Sequence, residues 1–217
     1  MYKSKFNKPL EKFKNIHNGK TAILFATGPT IKNYTPLENS EDFIKFGVNS
    51  IYHHKNIVND LNYYFYGSHY YINSYHKKNV DETCSLKNII SFASAYEEGR
   101  SHKDINRGNI SPERAIELKS VPFENNLQSF TNDVSEYATL GHSIIFPAIQ
   151  IILYMGIKKI YIVGCDGGYT SGQSSGNAEL ILLWKKFEEF RTKYYPEVKV
   201  ISVNPVSLKG LFHDIYI

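Results

Sequence analysis

The sequence predicts an α/β fold, a Rossmann-like and mainly parallel sheet with helices on both faces, and three observations carry that prediction. Short runs rich in Ile, Val, Tyr and Phe alternate with segments of helical spacing. Residues 142–164 read as one complete unit: an apolar helix, Gly156 as a stop, then the strand IKKIYIVG. A chain of 217 residues with 42% hydrophobic and 21% charged residues suits a single domain around one core.

The elements follow in order. TAILFA (21–26) is the first strand and runs into Thr27-Gly28-Pro29-Thr30. FIKFGV (43–48) is the second, followed by a helix over about 50–58, and NYYFYG (62–67) is the third, followed by a helix over 69–78. NIISFAS (88–94) is a weaker strand. The segment 95–138 is polar and longer than an ordinary connection, so it is expected to be an inserted lid or subdomain, part helical. Within it, Ser111-Pro112-Glu113 opens a helix over 111–119, with serine as N-cap and proline in the first turn. IIFPAIQIILYMG (144–156) is a buried helix, too short for a bilayer, which takes about 20 residues. The strand IKKIYIVG (157–164) comes next, then an amphipathic helix over 177–194 and the strand VKVISV (198–203).

Composition excludes several classes. The formal charge of +4 is spread over scattered Lys and Arg, which forms no nucleic-acid stripe and favours an anionic small molecule. Cys84 and Cys165 stand far apart, and the basic N-terminus has no apolar stretch behind it. A reduced, cytoplasmic setting without signal peptide or transmembrane segment is therefore expected. No H-E-x-x-H or C-x-x-C spacing occurs, so no metal site is expected from motifs.

The strand ends share a chemistry. The first runs into Thr27-Gly28-Pro29-Thr30, the second into Asn49-Ser50, the third into Ser68-His69. IKKIYIVG runs into Cys165-Asp166-Gly167-Gly168-Tyr169, and VKVISV into Asn204-Pro205-Val206-Ser207. Loops are polar in any protein, yet Lys, Glu or Gln follows none of these five strands directly. In a parallel sheet all these ends lie on one edge, where open α/β sheets bind ligands. Small residues let a ligand approach the backbone, and Asn and Asp offer directional hydrogen bonds. TGPT matches neither the P-loop nor the dinucleotide fingerprint. Pro29 lacks an amide hydrogen, but it suits the first position of a helix whose remaining amides face an anion.

ILFATGPTIKNY, FGVNSIY, YYFYGSHYY, AIQIILYMGIKKIYIVGCDGGY and VNPVSLKGLF occur in this order. Over about two thirds of the chain they are similar in order and spacing to the bacterial lipooligosaccharide sialyltransferases and to the related Maf-type and 6-hydroxymethylpterin pyrophosphokinase-like domains. The resemblance implies a GT-A-like sialyltransferase variant of the fold and a cleft for a nucleotide-activated sugar. Its partners would be a nucleotide-sugar donor, CMP-linked, and a glycan acceptor; a homo-oligomer is compatible with it. It implies that Thr27, Gly28, Pro29 and Thr30 lie along the phosphate, and that Asn49 faces the ribose or phosphate. Asp166 would contact the nucleotide or sugar, and Asn204 and Ser207 would border the base. The chain departs from the family at three points. Thr27 replaces a loop asparagine, the tyrosine after the aspartate is Tyr169, three positions on rather than two, and 169–178 holds no histidine where the family keeps its general base.

Glycosyl transfer needs a base for the acceptor proton and stabilisation of the leaving phosphate. The candidates are His142, at the start of the buried helix, and His69, after the third strand, with Tyr169 at the phosphate. A helix cap and a surface loop histidine are the competing readings of the two histidines. The sialyltransferase-like reading requires no cofactor. Two alternatives stay open: a Mg-dependent pyrophosphokinase-like phosphoryl transferase with Mg²⁺ at Asp166, and a non-catalytic nucleotide-binding module.

Overall fold

The computed structural model describes residues 8–67, 74–96, 115–121, 130–141, 143–168 and 176–217. Among them nine strands form one sheet: β1 (Thr21–Phe25), β2 (Ile44–Val48), β3 (Tyr63–Gly67), β4 (Ile90–Tyr96), β5 (Ile116–Val121), β6 (Ala138–Thr139), β7 (Lys159–Val163), β8 (Lys199–Val203) and β9 (His213–Ile215). Their order is β6-β5-β4-β3-β2-β1-β7-β8-β9, and every adjacent pair is parallel. The expected α/β, Rossmann-like architecture is the observed one.

Parallel strands need crossovers, and crossovers cover both faces. On one face Ala22, Leu24, Phe46 and Phe65 pack against α4 (Ile145–Tyr154) and α5 (Ala178–Tyr194). The short helix α1 (Lys8–Glu11) adds Leu10, and Phe13 follows it into the same core. On the other face Ile23, Phe25 and Tyr64 pack against the 3-10 turns Pro29–Asn33 and Asn49–His53, the single turn α2 (Lys55–Val58) and the 11-residue helix α3 (Ser74–Cys84). The second face is the thinner layer.

Helix α4 is buried along its whole length, including Gln150. That amide is tolerable because all its capacity is used. Its Oε1 accepts from the amides of Thr131 (3.1 Å) and Thr139 (3.3 Å), and its Nε2 donates to the carbonyls of Thr139 (2.9 Å) and Phe146 (2.8 Å). One side chain thus ties the apolar helix to β6. In α5 the buried Leu183, Trp184, Phe187 and Phe190 recur at helical spacing, and the Asn177 side chain caps the start by accepting from the Leu180 amide at 3.0 Å.

Three expectations change. The helix expected over 111–119 is strand β5 where that span is described, paired with β4 from Phe92↔Ile116 to Tyr96↔Ser120. IELKSV alternates with period two, and Leu118 and Ser120 are buried while Lys119 is exposed. That alternation outweighs the helix-start signal upstream. The polar segment 95–138 is likewise not apart from the sheet, because it holds the end of β4, all of β5 and the start of β6. Its lid reading falls on 97–114 and 122–129, outside the described residues. The helix expected over 50–58 is broken at His54, whose φ of −106° and ψ of 76° separate a 3-10 turn from α2.

Candidate functional site

Strand order reverses at the centre of the sheet. From β1 the chain steps outward through β2 and β3, then returns to place β7 on the other side of β1. Two adjacent strands whose following loops leave in opposite directions open a crevice at their carboxyl ends. Phe25 pairs with Val163, and Val163 with Val203, so β1, β7 and β8 end at one level. Phe25 also pairs with Gly47, so Thr27 and Asn49 follow adjacent strands, each two residues beyond a matched pair.

The loops after β1 and β7 are bound together. The Ala26 amide donates to the Val163 carbonyl (2.8 Å) and the Gly28 amide to the Gly164 carbonyl (2.9 Å). The Thr30 amide donates to Asp166 Oδ2 (2.9 Å), and the Thr30 hydroxyl donates to Asp166 Oδ1 (2.6 Å). Asp166 is only 3% exposed, so its charge depends on these charge-assisted bonds. Gly28 allows the approach: a Cβ there would lie 2.4 Å from Asp166 Oδ2 and 2.5 Å from the Gly164 carbonyl oxygen. Gly164 adopts φ +66° with its α-carbon against the Ala26 carbonyl, a conformation that other residues rarely take.

This geometry revises one expectation. The amides at the start of the Pro29–Asn33 turn are not open to an anion, because Thr30 donates to Asp166 and Ile31 to the Gly28 carbonyl. The protein's own carboxylate fills that place. Thr27, one residue before the tightened stretch, is exposed, and among the described residues its hydroxyl has no partner.

The other strand-end residues fall on the same rim. Asn49 adopts φ 46°, a left-handed conformation that asparagine tolerates. Its carbonyl accepts from the Tyr64 hydroxyl (2.8 Å), and its Oδ1 accepts from the Gly67 amide (3.3 Å). The Nδ2 is left as a donor. Asn204, at φ 50°, is turned toward the C-terminal residue: its Oδ1 accepts from the Ile217 amide at 3.0 Å. Ser207 packs beneath Gly176, and its buried Oγ has no hydrogen-bond partner. Cys165 is buried, and burial with Asp166 alongside pushes its thiol well above the usual range, so it stays protonated. His69, His142 and Tyr169 lie outside the described residues, as do Arg100 and His102 of the polar segment.

Sequence reading missed the Thr30–Asp166 clasp, since the partners stand 136 positions apart and nothing local marks them as a pair. It also missed Tyr64, whose hydroxyl holds the Asn49 turn and whose strand reads only as apolar core. Among the described residues no group of three His, Cys, Asp or Glu is arranged for a metal ion, and no helix is long and apolar enough to cross a membrane.

No protein-family model matches the chain, and no curated protein matches it in sequence. Its structure is similar to that of the sialyltransferase CstII from Campylobacter jejuni in complex with the substrate analogue cytidine-5'-monophosphate. The TM-score is 0.52 at 16% identity, over 91% of this chain and 85% of that one. A tyrosine-to-phenylalanine variant of that sialyltransferase, in complex with CMP, is similar at a TM-score of 0.51 and 16% identity, over 90% of this chain and 86% of that one. At this identity the likeness is one of fold. These neighbours lend no support to the Maf-type and pyrophosphokinase-like part of the resemblance.

Proposed function

We propose that the chain is a sialyltransferase-like glycosyltransferase that takes a nucleotide-activated, CMP-linked sugar and passes it to a glycan acceptor. The observation that carries this reading is the clasp of Thr30 on Asp166 at the point where strand order reverses. It fixes the loops after β1 and β7 in one arrangement. A rigid crevice with the Thr27 hydroxyl and Asn49 Nδ2 on adjacent strand ends suits a phosphate and ribose. The fold shared with a CMP-bound sialyltransferase supports the choice of nucleotide.

In the proposed reaction the bond between sugar and phosphate breaks, the acceptor oxygen bonds to the sugar, and the acceptor proton passes to a base. Thr27 and Asn49 hold the departing CMP phosphate, with Tyr169 beside it. Asn204 and Ser207 border the base. His69 and His142 are the proposed bases. Asp166 acts as a positioning residue, since each of its oxygens already accepts from Thr30. A magnesium-dependent phosphoryl transfer would ask the same carboxylate for a metal bond.

Calorimetric titration with CMP, CMP-sialic acid, UDP-sugars and ATP, each with and without Mg²⁺, tests this reading. Binding of the cytidine nucleotides regardless of metal is the expected outcome. Mg²⁺-dependent binding of ATP alone, or no binding by folded protein, would overturn it.

A further inference from the structure

We infer that the cleft between the Pro29–Asn33 turn and residues 53–60 binds a small organic anion, its charge at Lys32, Lys55 and His54 and its ring against Phe25 and Tyr34. The cleft has a volume of about 580 Å³, within the usual range for small-molecule sites. It opens in the thinly covered face of the sheet, over Phe25 of β1 and Lys45 of β2. Its lining runs from Phe25, the last residue of β1, back to Lys45, near the start of β2, and Asp60, ahead of β3, so it lies along the face of the sheet rather than at the rim. The turn Pro29–Asn33 separates the two regions: Thr30 binds Asp166, whereas Ile31 and Lys32 line the cleft.

The charges are unbalanced. Asp60, the carboxylate in the lining, is paired with Lys45 at 2.8 Å. Lys32 and Lys55 make no ion pair among the described residues. Burial, then the positive fields of His53 and Lys32, hold the His54 imidazole below its ordinary range, which sets Lys32 and His53 near it. The apolar side is ordered: the Phe25 and Tyr34 rings meet edge-on at 5.1 Å. Cations beside an aromatic wall favour a charge carried on a flat ring over a bare ion.

Phenyl phosphate, inorganic phosphate and phenol serve as probes, followed by NMR of the His53 and His54 rings. Phenyl phosphate is expected to shift both and to raise the His54 titration midpoint, since a bound anion offsets the fields of His53 and Lys32 while Asp60 remains held by Lys45. Inorganic phosphate and phenol are expected to bind at least tenfold more weakly. The exposed double variant Lys32→Ala/Lys55→Ala should lose roughly tenfold in affinity, the scale of two surface charge pairs. Saturating CMP should leave the complex intact. Unmoved histidine signals, unchanged affinity in the double variant, equal binding of inorganic phosphate or phenol, or displacement by CMP would each overturn the inference.

Discussion

Asp166 occupies the position at the start of a turn that a bound anion takes at many helix N-termini. A buried carboxylate held by one amide and one hydroxyl fixes the loop that carries them, which is why it is read as a positioning residue. Thr30→Val deletes the hydroxyl bond and leaves the amide bond, so about tenfold weaker CMP binding is expected, with Thr30→Ser restoring the affinity. Asp166→Asn should weaken CMP binding by more than that and cost about 1–3 kcal/mol of stability, since an amide group cannot accept at both positions. Calorimetry and urea denaturation of the three variants check this. A second residue-scale effect concerns pH. Burial, followed by Lys20, holds the His17 imidazole below its ordinary range, and its Nε2 lies 2.7 Å from the Tyr63 hydroxyl. Burial alone pushes that phenol up to about 12, so it donates and neutral His17 accepts. His54 is depressed as well. A depressed histidine binds fewer protons folded than unfolded, so stability is present above the unfolded value of 6.5 and is lost as pH falls below it. Thermal unfolding should show a lower Tm at pH 5 than at pH 7, with a smaller difference in His17→Gln/His54→Gln.

Helix α4 shows how one polar residue can specify an apolar element. Its ten residues are all buried, so hydrophobicity alone would allow it to rotate or slide. Gln150 removes that freedom through three bonds to the backbone of Thr131 and Thr139, while a fourth, to the Phe146 carbonyl, stays within the helix. Gln150→Leu matches the apolar surroundings but removes the bonds to the Thr139 backbone and takes the Gln150 acceptor from the Thr131 amide. A loss of about 3 kcal/mol in urea denaturation is expected, most of the penalty for orphaned backbone groups. The helix itself was legible from its apolar run, and α5 from its amphipathic spacing. Gln150 was visible only as an exception to the run, because its partners Thr131 and Thr139 lie outside the helix. Strand β5 was misread because Ser111-Pro112-Glu113 is a strong local start signal, while the alternation of Ile116, Leu118 and Ser120 gains its meaning only beside β4. The rim residues Thr27, Asn49, Asp166 and Asn204 were legible because each directly follows an apolar run or its terminal glycine. The directions of their side chains were not: Asp166 turns inward to Thr30, and Asn204 turns to Ile217.

At the scale of the whole molecule, nine parallel strands put every described strand end on one edge, and the reversal at β1 and β7 concentrates the small residues there. The two faces are unequal. Helices α4 and α5 seal one, whereas 3-10 turns, the single turn α2 and helix α3 cover the other and leave the cleft over Phe25. The rim at the strand ends is thus distinct from the cationic cleft on the thinner face. The proposed function places the phosphate of a cytidine nucleotide at the rim between β1, β2 and β7. Calorimetric titration of the folded chain with CMP tests this most directly. Saturable one-site binding, weakened by Asn49→Gly, which keeps the left-handed backbone and removes the Nδ2 donor, is the expected result. Absence of binding, or equal affinity in Asn49→Gly, would contradict it.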